Sequence, residues 1–158
     1  MMTRLEKAMA RTYIAKAKTA IQHHCDVETQ RVVAIATVGY GAIIGIETNR
    51  RGEGKVSKWS QHAEERLAHK LQSMRLREKN ITISVIRWKR DGTLGMAKPC
   101  SGCMSLISGK GSARYWCSEH RMFEDRRGDD HDPIAKCVQW TTGDGVTFGR
   151  KYFATPFD

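Results

Sequence analysis

Apolar residues recur at every fourth position along the first part of the chain, as on one side of an amphipathic helix. They predict a helix from Thr3 to about His24 and are Leu5, Met9, Tyr13, Ala17 and Ile21. A basic stripe lies on another side of this helix and consists of Arg4, Lys7, Arg11 and Lys18. We interpret the stripe as a solvated face, with a surface for nucleic acid as the alternative.

Two runs rich in β-branched residues come next, Arg31 to Val38 and Ala42 to Thr48. Between them lie Gly39, Tyr40 and Gly41, which suit a short turn. The pattern predicts a β-hairpin with a glycine-bearing turn.

The remainder of the chain alternates between helical and strand patterns. A polar loop is predicted from Asn49 to Lys58, followed by a helix capped by Ser60 and running to about Lys79 and a strand from Ile81 to Arg90. A helix beginning at Pro99 and ending at Gly109 or Gly111 comes next, followed by a strand from Ala113 to Ser118. The last predicted elements are a charged loop from Glu124 to Pro133 and two paired strands, Cys137 to Thr142 and Val146 to Phe153. Alternation of this kind after one hairpin predicts a three-layer α/β/α domain. We expect a single domain over residues 1–158, because the length fits one compact core.

The composition is that of a folded protein, with 40% hydrophobic and 28% charged residues. The most apolar stretch, Val32 to Ile46, is interrupted by glycine and falls short of the ~20 residues that a bilayer span needs. The N-terminal segment lacks the apolar core and cleavage site of a secretory signal. We therefore expect a cytoplasmic protein without a membrane partner.

The chain is strongly basic, with 27 Lys and Arg against 17 Asp and Glu and a net charge of +10. Such a charge favours anionic partners but does not distinguish a nucleic acid from a nucleotide phosphate or an acidic membrane surface, and it also promotes solubility. Five cysteines cannot all form disulfides within one chain, and the sequence shows no secretion signal. Metal binding or plain thiols fit them better than a disulfide framework.

Two predicted helix starts carry the residues that suggest chemistry. His62 and Glu64 open one helix, and Cys100 and Cys103 open the other after Pro99. The two cysteines share a helix face, and the positive end of the helix favours their thiolate forms. One imidazole and two thiolates make a three-ligand zinc set with the fourth position open for water. Glu64 is then placed to carry the proton of that water.

The motifs His62-Ala63-Glu64 and Pro99-Cys100-Ser101-Gly102-Cys103 resemble the signature of the zinc-dependent cytidine deaminase superfamily. The resemblance runs from the first strand to about Ser118 and is most like the deoxycytidylate (dCMP) branch. It implies a cytidine deaminase-like fold with a mixed sheet of about five strands, a Zn²⁺ cofactor and a homo-oligomer. It also implies that Glu64 shuttles protons and that the backbone N–H of Ala63 donates to the base.

Further substrate-binding candidates follow from the same resemblance. Asn49 lies where nucleotide and transfer-RNA deaminases bind the sugar, although an asparagine there also suits a turn. Arg50 and Arg51 are candidates for a 5′-phosphate, and Trp59 for stacking on a base, with ordinary loop charges and loop packing as the alternatives. Lys98 departs from the family pattern and brings a positive charge close to the predicted pocket.

Three functions compete at this point. The first is deamination of a free cytosine nucleotide or nucleoside, with dCMP favoured by the segment Asn49-Arg50-Arg51. The second is editing of cytosine or adenine in single-stranded DNA or RNA, favoured by the basic charge. The third is a noncatalytic zinc-binding or nucleic-acid-binding module, against which Glu64 argues, since binding alone needs no proton shuttle.

A second zinc site is also conceivable. Cys117 and His120 have suitable spacing and could combine with His23, His24, Cys25 or His131.

Overall fold

The computed structural model describes residues 4–24, 31–39, 41–51, 60–74, 80–109, 112–117, 122–127, 133–143 and 148–153. Within these ranges the helices are α1 (Arg4–His24), α2 (Ala63–Ser73) and α3 (Ser101–Ser108). The strands of the same ranges are β1 (Arg31–Val38), β2 (Ala42–Thr48), β3 (Arg50–Arg51), β4 (Ser60–Gln61), β5 (Ile81–Trp88), β6 (Leu94–Gly95), β7 (Ser112–Cys117), β8 (Met122–Arg127), β9 (Cys137–Thr141) and β10 (Phe148–Tyr152). None of the helices in the described ranges has the length and apolar character needed to cross a bilayer.

The main sheet is mixed and follows the order β10-β9-β5-β1-β2, with the short β6 paired to β5. β5 and β9 run parallel, and the other neighbours run antiparallel. The structure confirms the predicted hairpin of β1 and β2 with its bounds unchanged. It also confirms the predicted pairing of the two last strands.

Helices cover the sheet on both faces. One face places Ile83 and Val138 against Leu67 of α2 and Ile107 of α3. The other face places Val33, Ile35 and Ile86 against Tyr13 and Ala17 of α1. The side chains of β1 thus alternate between two apolar layers, as a strand covered on both sides requires. The three-layer α/β/α prediction is confirmed.

The strand pair β9 and β10 is tightly packed around one aromatic residue. Trp140 of β9 lies opposite Gly149 of β10 and is buried. A Cβ atom at position 149 would stand 2.3 Å from Nε1 of the Trp140 indole. The glycine therefore provides the space in which the ring lies across the strand pair.

The predicted start of α2 was wrong by two residues. Ser60 does not cap the helix, because Ser60 and Gln61 form β4 and pair with β3. An extended, paired backbone is incompatible with a capping position at Ser60, and the helix begins at Ala63 with His62 as its N-cap.

The predicted start of α3 also shifts. Pro99 precedes the helix instead of opening it, since Cys100 is the N-cap and Ser101 the first helical residue. The helix ends at Gly109, as predicted, where φ is +83° and a left-handed cap closes the last turn.

Part of the segment predicted as a charged loop is a strand. Residues 124–127 belong to β8, which pairs with β7 in a two-stranded ribbon apart from the main sheet. Backbone pairing in such a ribbon does not need the apolar alternation used to predict strands, so the charged run concealed it.

Candidate metal centre and surrounding pocket

The residues directly before α2 and α3 meet at one place. Nδ1 of His62 lies 3.6 Å from Sγ of Cys100 and 3.5 Å from Sγ of Cys103. The three ligand atoms lie within 4.8 Å of one another. The structure therefore brings together the three residues predicted as metal ligands.

The helix starts explain why these side chains converge. His62 is extended (φ −72°, ψ 144°), and its carbonyl accepts the N–H of Arg66 at 3.1 Å. Cys100 is likewise extended (φ −66°, ψ 165°), and its carbonyl accepts the N–H of Met104 at 2.9 Å. Each residue thus starts a helix without lying on its cylinder. The side chains are free to turn toward the other helix.

The same arrangement brings Glu64 to the site. Residues two apart inside a helix point about 200° away from each other, which would separate His62 from Glu64. Because His62 stands before the first turn and Glu64 within it, the two can face one pocket.

The electrostatics of the set favour a thiolate at Cys100. Hydrogen bonds from the Cys103 thiol and from His62 lower the pKa of Cys100 to about 4. The hydrogen bond to Cys100 raises the pKa of His62 to about 9, against a burial effect that lowers it. The pKa of the Cys103 thiol is raised, chiefly because this thiol donates to Cys100. These shifts favour the charged forms of His62 and Cys100 and the neutral thiol of Cys103.

The donor set fits zinc. One imidazole nitrogen and two sulfurs are donors that Zn²⁺ prefers, and three protein ligands leave a tetrahedral position for a reacting molecule. The two thiolates also balance the charge of the ion.

Glu64 is buried beside this set, with 6% of the residue exposed. Removal from water raises the pKa of its carboxyl group. Its neighbour Glu65 points elsewhere, with Oε1 3.9 Å from Nε2 of His69 one turn along the helix. The structure thus separates the two adjacent glutamates.

A pocket of about 220 Å³ opens at His62 and Cys100 of this set. Asn49 is buried at its wall, where Oδ1 accepts the N–H of Val32 at 3.0 Å. Ala63 is fully buried and also lines the pocket. Two of the predicted substrate-binding residues are therefore next to the candidate metal centre.

Other predicted residues fall outside what is described. Arg50 and Arg51 form β3 directly after Asn49, but their side chains lie outside the described residues. Trp59 also lies outside them. The same holds for Cys25, His120 and His131 and for the side chains of His24 and Cys117, on which the second zinc site would depend.

Sequence reasoning missed four residues that line the pocket, which are Val32, Arg87, Met96 and Ala97. A signal for Arg87 was present. In the strand Ile81–Trp88, residue 87 shares a face with Ile83 and Val85, which are fully buried. A cation at an inward-facing position of a buried strand is unusual and marks a special environment. Lys98, noted from the sequence, lines the pocket as well.

Comparison with known proteins supports the fold. No protein-family model matches the sequence, and no curated protein matches it. Among solved structures, a cytidine deaminase from Burkholderia pseudomallei is similar, with a TM-score of 0.53 at 14% identity over 96% of this chain and 93% of that chain. The chain therefore has a mixed α/β, cytidine deaminase-like fold, as predicted.

Proposed function

We propose that this protein is a zinc-dependent hydrolase that converts a cytosine nucleotide to its uracil form and releases ammonia. The observation that carries the proposal is the meeting of His62, Cys100 and Cys103 within 4.8 Å beside a buried glutamate. The cytidine deaminase-like fold adds support. A metal-binding module would not need a buried carboxyl group next to the ligands.

Nδ1 of His62 and the sulfurs of Cys100 and Cys103 would hold the zinc, which when bound supplies a Lewis acid that makes water nucleophilic at neutral pH. The chain's own groups manage the protons. Glu64 accepts a proton from the attacking water, passes one to the ring nitrogen and assists the departing amine. Oxygen bonds to the ring carbon, the bond to the exocyclic nitrogen breaks, and ammonia leaves.

Burial of Glu64 suits this role. Desolvation raises the pKa of its carboxyl group, so its carboxylate is a stronger base than that of a solvated glutamate. A stronger base suits a group that must accept a proton and then donate it.

The pocket wall supplies positions for the rest of the substrate. Ala63 is the first residue of α2, so its N–H has no acceptor within the helix and can donate to the base. The hydrogen bond from Val32 fixes the amide of Asn49, which we assign to the sugar. Arg50 and Arg51 follow it directly and are candidates for the 5′-phosphate of dCMP.

A panel of substrates tests the proposal. Ammonia release should be measured with cytidine, deoxycytidine, dCMP, dCTP, adenosine and a single-stranded oligonucleotide. We expect release from dCMP, and a smaller kcat/KM for dCMP in Arg50→Ala or Arg51→Ala. Release from adenosine alone would overturn the assignment to cytosine.

Editing of a nucleic acid is the second candidate, and the net charge of +10 favours it. It predicts that substitution of Arg4, Lys7, Arg11 and Lys18 weakens oligonucleotide binding and flattens its salt dependence. Deamination of the oligonucleotide with dCMP untouched would replace the free-nucleotide assignment by this one.

Three further features are proposed with the activity, namely a single domain over residues 1–158, a homo-oligomeric state and a cytoplasmic location. Sedimentation velocity tests the second, where a monomer at micromolar concentration would refute it.

A further inference from the structure

Arg87 occupies a defined place in the sheet beside the metal centre. In the register of the sheet it lies opposite Val32 of β1. On the other side of β1, Val33 pairs with Thr48 of β2. The next residue of that chain segment, Asn49, therefore lies beside Val32. Asn49, Val32 and Arg87 thus form a row across three neighbouring chain segments, and all three line the pocket.

The guanidinium of Arg87 is anchored but not neutralised. Its Nη1 donates to the carbonyl of Met96 at 3.2 Å. Its Nε is buried and has no hydrogen-bond acceptor among the described residues. No carboxylate of the described residues forms an ion pair with it. A buried donor without an acceptor destabilises a folded protein, so its retention calls for an explanation.

A second cation lies on the same side of the sheet. Nζ of Lys98 stands 5.9 Å from the centre of the Trp140 ring, within the range of a cation–π contact. Trp140 pairs with Val85, two residues before Arg87 on β5. The Lys98 side chain is therefore held near the pocket that Lys98 also lines.

We propose that Arg87 binds a phosphate group of the nucleotide whose base lies at the metal centre, with Lys98 as a second cation. The inference rests on the proposed function and deepens it by adding a phosphate contact on the β5 side of the pocket to those proposed for Arg50 and Arg51. A guanidinium suits this role, because its paired N–H groups match two phosphate oxygens. The phosphate could belong to a free 5′-monophosphate or to a phosphodiester of a single strand.

Binding measurements in the zinc-loaded Glu64→Gln protein test this assignment without turnover. Dissociation constants are measured by calorimetry for dCMP, deoxycytidine and an oligonucleotide with a single cytosine. We expect Arg87→Met to raise the dissociation constant of dCMP about 10- to 100-fold, and to raise it far more than that of deoxycytidine. Arg87→Lys keeps the charge but loses the paired donors, so its dissociation constant for dCMP should lie between those of the parent protein and Arg87→Met. Arg90→Met is the matched control, because Arg90 is exposed in the turn after β5 and should leave all three constants unchanged.

The outcomes separate the possibilities. A selective loss for the oligonucleotide instead of dCMP supports the assignment and identifies a phosphodiester as its source. Two results overturn the assignment. One is an equal loss of affinity for dCMP and for deoxycytidine. The other is no loss of affinity in Arg87→Met and Arg87→Lys when both variants melt near the temperature of the parent protein. Selective loss of dCMP binding, together with no ammonia release by the wild type, supports the phosphate site and overturns the proposed reaction.

Discussion

Arg66 of α2 bridges to Glu47 at the end of β2, with Nη2 3.2 Å from Oε2 of the carboxylate. Its Nη1 also donates to the carbonyl of Thr48 at 2.6 Å. Both side chains of the pair are about four-fifths buried, with 19% and 20% exposed. The bridge joins the helix that follows His62 to the strand that precedes Asn49. It therefore fixes one wall of the pocket relative to the candidate metal centre.

Loss of this bridge should destabilise the protein. We expect Arg66→Met to lower the free energy of unfolding by about 1–3 kcal/mol, since a buried charged hydrogen bond is lost. A double-mutant cycle with Glu47→Gln should show coupling between the two residues. Lys70→Met is the control, because Nζ of Lys70 also lies 3.6 Å from Glu47 but its side chain is 45% exposed. Its loss should cost no more than ~1 kcal/mol, and an equal cost for both variants would contradict the account.

Metal content should depend on the three-residue set alone. We expect about one zinc per chain in the purified protein, since the described residues bring together one three-ligand set of this kind, and little in the Cys100→Ala, Cys103→Ala double variant. Cys137→Ala is the matched control, because Cys137 is buried in β9 and is not part of the set. Elemental analysis measures both. Full zinc occupancy in the double variant would rule out this ligand set.

Zinc binding should release protons. His62, with a pKa of about 9, and Cys103, whose pKa is raised, hold protons at neutral pH in the metal-free protein. Cys100, with a pKa of about 4, has already lost its proton. Since zinc needs a neutral imidazole and two thiolates, about two protons leave per ion.

The affinity for zinc should therefore rise about a hundredfold per pH unit between about pH 5 and pH 8. Calorimetry in buffers of different ionisation enthalpy counts the protons directly. An affinity independent of pH over this interval would show that the three groups are not the ligands.

Glu64 should be needed for turnover and not for metal binding. We expect Glu64→Gln to retain zinc and to lower kcat by at least ~10²–10⁴, the usual contribution of a general acid–base. Glu65→Gln is the matched control, because Glu65 faces His69 and should leave kcat unchanged. Equal losses in the two variants would show that the effect is not specific to the proton shuttle.

Much of the fold could be predicted because its signals are local. The β-branched runs of β1 and β2, with glycines between them, determine both strands and the turn. The shift at Ser60 could not be foreseen, because β3 pairs with β4 through Arg50 with Gln61 and Arg51 with Ser60, which are not close in the chain. β8 was missed for a related reason. It is held by backbone hydrogen bonds to β7, and these do not require the alternation of apolar residues from which strands are predicted.

The residues of the candidate site also differ in how far they could be predicted from the sequence. His62, Cys100 and Cys103 are recognisable because each motif is confined to a helix start. Arg87 is not part of a motif, and its neighbourhood with Asn49 arises only from the register of β1 with β2 and β5. Sequence spacing does not carry that information.

Incubation of the zinc-loaded wild-type protein with dCMP in ¹⁸O-labelled water tests the central claim most directly. Hydrolytic deamination predicts dUMP with the heavy oxygen at the ring carbon that lost the amine, and one ammonia for each dUMP formed. Recovery of unchanged dCMP, and of unchanged cytidine and deoxycytidine from parallel incubations, with protein that holds its zinc would contradict the account.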